Sequence, residues 1–371
     1  MMMLLTAVAF VVLLTVLILI HEFGHFMAAR RAGVTVEEFG FGLPPKARTL
    51  FKRNGTVFTL NWIPFGGFVR LKGEAATTVS ERNKLGSFHH ASIAARIAIL
   101  SAGVFMNFLL AFVLLVFGFS VGRWIPTYFE MSDMLEHSRQ GIISLETGVV
   151  IEQVVSGEPA AIAGVPEKSV LLKVNDTPIT LAEQVGQTQQ GKRRVAYTVL
   201  VGEGADAKEQ QYTVTLKDGK SGVVISTFPR KLSAPLRGVG ISALLAFREA
   251  RIMTEQTIIG IGTLIRSLAQ SGRVPEGITG IVGIAQLTYS SVQAGFMTYL
   301  RLVALISLSL AILNFLPFPA LDGGRLLFVL VEAVTRRPLN RRFEAYSNAL
   351  GFSVLILLIL LITFYDIVRL F

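Results

Sequence analysis

Four stretches of the chain are almost unbroken in apolar residues, and each is long enough to cross a bilayer, which takes about 20 helical residues. They run near Met3 to Ala28, Ile97 to Val121, Phe296 to Leu316 and Ala349 to Val368. A fifth, Ile241 to Leu268, is divided: Arg248, Glu249, Arg251, Glu255 and Gln256 occupy its first half, and its second half is apolar. That division predicts a helix lying at the membrane surface. The periodicity changes between Ser144 and Phe228. Runs such as Gly148-Val-Val-Ile-Glu-Gln-Val-Val, Ser169-Val-Leu-Leu-Lys-Val-Asn, Arg194-Val-Ala-Tyr-Thr-Val-Leu-Val and Gln211-Tyr-Thr-Val-Thr-Leu alternate with Gly, Pro and Asp turns. This is the pattern of a small β-rich domain, with one short helix expected over Pro159 to Ala163. No small-x-small cleavage site closes the first apolar run, so a retained membrane helix is expected there in place of a signal peptide.

Composition agrees with several spans. Hydrophobic residues make up 52% of the 371 and charged ones only 16%, too apolar a balance for an ordinary soluble domain. The net charge of +10 does not imply a nucleic-acid partner, because the basic residues sit beside the apolar segments. From Arg30 to Arg96 there are eleven Lys or Arg against four Asp or Glu, and from Arg325 to Glu344 five Arg against two Glu. Both loops are expected on the cytoplasmic side, with both termini and the segment Arg123 to Arg237 on the other. That outer segment is balanced, with thirteen bases and thirteen acids. Cysteine is absent, which excludes disulfides, thiolate ligands and cysteine nucleophiles.

The chemistry concentrates at His21-Glu22-Phe23-Gly24-His25. In H-E-x-x-H the two His lie one helical turn apart and face one way, so they can share a Zn²⁺, while the Glu can take a proton from a water beside it. Ionisable groups within a membrane helix cost about 2.5–3.5 kcal/mol each on insertion scales, and a shared metal compensates that cost. A catalytic zinc keeps one position open and needs a third protein ligand. Asp322 fits, in Asn314-Phe-Leu-Pro-Phe-Pro-Ala-Leu-Asp-Gly-Gly324, where Pro317 and Pro319 break a span and the glycines permit close approach. Zn²⁺ with two neutral His and two carboxylates sums to zero charge, which a low-dielectric site tolerates.

These two motifs, separated by an outer β-rich domain, resemble the site-2 protease family of intramembrane zinc metalloproteases (peptidase M50 type), in a bacterial RseP-like form with a single PDZ domain. The resemblance covers essentially the whole chain. It implies a mainly α-helical polytopic membrane protein of about four transmembrane helices, with a membrane-reentrant β-hairpin region and a small extracytoplasmic PDZ-like domain. The expected divisions are 1–122 and 296–371 for the membrane core, 144–228 for the PDZ-like domain, and 229–295 for a linker with the surface helix. Glu22 is then the catalytic acid/base and His21, His25 and Asp322 the metal ligands. Gly40-Phe-Gly42 and Gly66-Gly67-Phe68-Val69 resemble the hairpin, whose strand edge pairs with unwound substrate. Asn107, after Ala102-Gly103, and Asn314 resemble polar residues near substrate or the transition state. Val104 departs from a usual proline, and Gly280-Ile-Val-Gly283 from Gly-Pro-x-Gly. The implied substrates are single-span membrane proteins already trimmed by another protease, or remnant signal peptides, cut within a bacterial inner membrane.

The stretches Val155 to Gly164 and Leu172 to Ile179 resemble PDZ helix and strand signatures, with Gly148-Val-Val-Ile151 as a candidate carboxylate loop. His89, His90 and His137 lack partners at helical spacing and are expected in solvated loops. Arg301 is expected to snorkel to the outer interface, and Asp366 to be interfacial. Two other functions compete: an inactive PDZ-bearing scaffold, which has no need of all four site residues, and a metal transporter, which needs polar residues at successive depths.

Overall fold

The computed structural model describes residues 2–74, 80, 84–202, 207–337 and 339–369. Two compact units emerge: Met1–Gly118 together with Gly238–Phe371, and Phe119–Arg237. In the first, the apolar runs form helices α1 (Met2–Arg31), α2 (Ile93–Ser120), α8 (Phe296–Phe315) and α10 (Arg341–Val368). These four are long and apolar enough to cross a membrane. Gly24 lets α1 and α2 cross closely, since a Cβ there would lie 2.3 Å from the Ala102 carbonyl oxygen.

Between α1 and α2 lie two long strands, β1 (Val36–Arg53) and β2 (Thr56–Leu71). Each bends and pairs twice. Phe39 opposes both Val69 and Phe58, and Phe58 opposes both Phe39 and Phe51. The two strands therefore act as four short ones, with residues 67–71 at one edge and 46–53 at the other. The 64–69 stretch of β2 runs alongside α1. Thr15 Oγ1 donates to the Pro64 carbonyl at 3.0 Å, and Gly66 and Gly67 leave no room for side chains against Ile18 and Leu19. Gly66 also has φ +76°, a conformation that favours glycine.

Helix α6 (Val239–Ser271) covers the divided fifth stretch, and it ends at Gly272 with φ 64° and a left-handed cap. Glu249 on α6 is wholly buried and accepts from Arg301 of α8 at 3.0 Å. The expectation that Arg301 snorkels is thus corrected: the guanidinium is held by a buried carboxylate. Asp366 is corrected likewise. It is buried, and its Oδ2 accepts from the amides of Gly280 and Gly283 at 2.8 Å each, capping α7 (Ile281–Gln293). The segment after Asp322, read as a loop, contains helix α9 (Asp322–Thr335). Its amphipathic pattern buries Val329 among Ala29, Val36, Leu71, Ile99 and Leu100, which packs α9 under the ends of α1, β2 and α2.

The second unit contains α3 (Met131–Arg139), β3 (Ser144–Val154), α4 (Pro159–Ile162), β4 (Ser169–Val174), β5 (Thr177–Pro178), α5 (Ala182–Gln189), β6 (Arg194–Val201), β7 (Lys208–Thr215) and β8 (Val223–Ser233). Its sheet runs β7-β6-β4-β3-β8, with β5 beside β4. Alternation buries Val195, Tyr197 and Val199 of β6 with Val149, Ile151, Leu171 and Val174. Gly148-Val-Val-Ile151 is not a loop. It lies inside β3, with β8 along one side and β4 along the other from Val149 to Ile151, so the backbone of those three residues is already flanked by strands. The Tyr197 hydroxyl donates to Ser221 Oγ at 2.8 Å and accepts from Gln189 Nε2. Burial pushes its pKa up.

Candidate metal centre

Helix α1 presents His21 and His25 on one face, both buried. His25 donates from Nδ1 to the Ile99 carbonyl at 2.8 Å, which leaves its Nε2 lone pair free to face the cluster. His21 Nε2 lies 2.8 Å from Asp322 Oδ2 and 3.2 Å from His25 Nε2, and His25 Nε2 lies 3.2 Å from Asp322 Oδ2. Asp322 reaches this point because the chain folds back after α8. Ala320 adopts φ 75°, and Gly323 and Gly324 lie so near the Leu316 and Phe318 carbonyls that a Cβ would sit 2.2 Å from either oxygen. The backbone of this turn is tied to α10 by Asn348, which accepts from the Ala320 amide at 3.2 Å.

The residues fit a zinc ion. Ligand bonds of roughly 2.0–2.2 Å at tetrahedral angles need ligand atoms roughly 3.3–3.5 Å apart, and the triangle above is only slightly tighter. Asn107, fully buried on α2, points Nδ2 at His21 Nδ1 at 3.4 Å, and its Oδ1 has no partner. A half-turn of that amide gives the orphaned oxygen the Nδ1–H of His21 and leaves His21 Nε2 free for metal. Among the described residues no other group of three His, Asp or Glu converges in this way.

Glu22 lies beside the pair, its Oε2 accepting from the Val69 amide of β2 at 3.0 Å. It borders a cavity of about 160 Å³ shared with His25, Phe68, Asp322 and Arg325, in the range that holds several waters. Gly103 of α2 faces the imidazoles directly: a Cβ there would lie 2.4 Å from His25 Nε2 and 2.7 Å from His21 Cε1. The cluster thus has space that only glycine leaves.

Of the remaining residues singled out in the sequence, Phe68 lines the cavity. Gly66 and Gly67 pack on α1 instead. Asn314 sits half-buried in the last turn of α8, and among the described residues no hydrogen bond joins its side chain to the cluster. His89 and His90 form a short 3-10 turn and join no ligand group among the described residues, and His137 hydrogen-bonds Tyr128 at 2.7 Å. Sequence reading missed Glu74 and Arg325, named Val69 only as part of the hairpin, and named Gly103 without a role. The one signal for Arg325 was its place directly after Gly323-Gly324.

The model of Peptidase family M50 matches residues 9–358. The chain belongs to this family. Similar relatives include the regulator of sigma-W protease RasP of Bacillus subtilis, 26% identical with 99% of both chains covered. Zinc metalloprotease RasP of Oceanobacillus iheyensis is 28% identical at the same coverage, and that of Bacillus licheniformis 26%. The alignment with the Bacillus subtilis protein is 456 positions long against 371 residues here, so these relatives carry segments without a counterpart. The chain is a membrane-associated zinc metalloprotease of the site-2 type.

Proposed function

We propose that this protein cuts peptide bonds within the membrane segments of single-span proteins, with His21, His25 and Asp322 holding zinc and Glu22 moving the proton. The observation that carries the reading is the convergence of two imidazoles and one carboxylate at 2.8–3.2 Å beside a cavity bordered by Glu22. When bound, zinc supplies Lewis acidity toward a substrate carbonyl and a water molecule. Glu22, held at Oε2 by the Val69 amide, uses its other oxygen to accept the proton of the attacking water and returns it to the departing amine. Asn107 and the Ile99 carbonyl fix the two imidazoles in the ring orientations a ligand needs. Asn314 is assigned to the substrate side of the site.

The substrate is assigned to the free edge of β2. An extended strand laid along residues 66–68, where Gly66, Gly67 and Phe68 sit, would add to the sheet and pass beside Glu22. A membrane helix must unwind to do so, because its backbone groups need partners wherever water is scarce. The hairpin is read as membrane-reentrant, the cluster as opening toward the cytoplasm, and the β-rich unit as an extracytoplasmic PDZ-like domain that turns away bulky substrates. Its order β4-β3-β8, with α5 near the edge strand β8, supports that assignment. Substrates trimmed by a first protease, such as anti-sigma factors, satisfy this filter. The bacterial inner membrane is the corresponding location, and α6 is read as a surface helix.

The test is Glu22→Gln beside Asp322→Asn in the full chain. Glu22→Gln is expected to keep zinc and lose cleavage of a tagged single-span substrate, and Asp322→Asn to lose zinc by elemental analysis. Undiminished cleavage by Glu22→Gln, or full zinc in Asp322→Asn, refutes the assigned roles.

A further inference from the structure

The base and the third ligand come from different parts of the chain, and something must hold them in register. Glu22 is fixed through β2, by the Val69 amide. Asp322 is fixed through α9, whose first turn it occupies. Val69 and Leu71 are two residues apart on the strand edge that faces away from β1, so both amides point the same way. The second, Leu71 N–H, donates to Glu74 Oε2 at 3.2 Å. The other oxygen of Glu74, Oε1, pairs with Arg325 at 2.5 Å. Arg325 is one turn past Asp322, on the same face of α9.

We propose that Glu74 and Arg325 are positioning residues for the peptidase reaction. One carboxylate joins the end of β2 to α9 and thereby sets Glu22 against Asp322 across the cavity they share. This rests on the roles proposed above for those two residues. Three features support it. Glu74 and Arg325 both line the cavity with Glu22 and Asp322. The far end of α9 is pinned separately, where buried Arg96 of α2 holds Glu332 through two bonds of 2.9 and 2.8 Å, so the Glu74 contact controls the near end. Glu74 also occupies the last outward amide of β2, as Glu22 occupies the one before it, so the two carboxylates sit side by side on one strand edge.

The experiment measures kcat, KM and zinc content of the full chain in detergent, with a tagged single-span substrate. The variants are Glu74→Gln, Arg325→Gln, their double and Arg325→Lys. A sub-ångström loss of register costs roughly ten- to hundredfold in rate. Each Gln variant is therefore expected to lose about that much in kcat, with KM changed less than about threefold and zinc retained. The double should lose no more than the worse single, because the two act as one contact. Arg325→Lys, which keeps a point charge for a single-oxygen contact, should recover most of the loss, and it carries the test if Arg325→Gln does not fold. Wild-type kcat in Glu74→Gln, additive losses in the double, or no rescue by Lys overturns the proposal. Glu22→Gln is run alongside: if it still cleaves, the assignment of the base fails instead, independently of the Glu74–Arg325 cycle.

Discussion

Replacing Gly103 with Ala should empty the metal centre while leaving the helices intact. The added Cβ would sit 2.4 Å from His25 Nε2, 2.7 Å from His21 Cε1 and 2.8 Å from His21 Nε2. Non-bonded heavy atoms come to rest at roughly 3.5 Å or more, so the imidazoles must retreat by about 1 Å. Metal ligands tolerate roughly 0.2 Å. The obvious escape, separating α1 from α2, would give up the close backbone packing that Gly24 allows at Ala102. Lesser disturbances of groups around metal sites cost roughly 10–100-fold in affinity, and this one strikes both imidazoles at once. Helix propensity runs the other way, favouring Ala over Gly by about 1 kcal/mol, so loss of helix does not account for the result. The assay is zinc per mole of detergent-purified protein, with far-ultraviolet circular dichroism and substrate cleavage on the same samples. Gly260→Ala on α6, where an added Cβ meets nothing within 4 Å, is the matched control and should keep its zinc. Stoichiometric zinc and full cleavage in Gly103→Ala would refute the geometry of the cluster.

Asp366→Ala removes the acceptor of the Gly280 and Gly283 amides. It should cost about 0.5–2 kcal/mol, as loss of a helix cap does, and an unchanged denaturation midpoint would show that α7 starts without it. Tyr197→Phe leaves buried Gln189 and Ser221 without the hydroxyl between them. A cost of about 1–3 kcal/mol is expected, seen in proteolysis of the β-rich unit while zinc content stays constant.

Helix periodicity alone places His21 and His25 on one face, and long apolar runs alone give the four spans. Alternation in β6 buries Val195, Tyr197 and Val199, and that too is local information. All three follow from neighbours within a few residues, where a sequence pattern constrains geometry directly. What lies across the chain is different. Asp322 meets His21 over a separation of 301 residues; the sequence offered it as a third ligand, but the fold-back through Ala320 and the two glycines that carries it there belongs to the tertiary structure. Gly148 to Ile151 had the composition of a loop or a strand, and only pairing on both sides made it an interior strand of the sheet. Arg301 and Asp366 looked interfacial because each is a lone charge near the end of an apolar run. Their partners, Glu249 and the amides at the start of α7, come from segments 52 and 83–86 residues away. The space at Gly103 was invisible for the same reason: a missing side chain has no pattern of its own, and its meaning is set by the imidazoles of another helix. Local periodicity therefore determined the elements and the chemical groups on offer, and the packing of distant segments decided which of those groups meet.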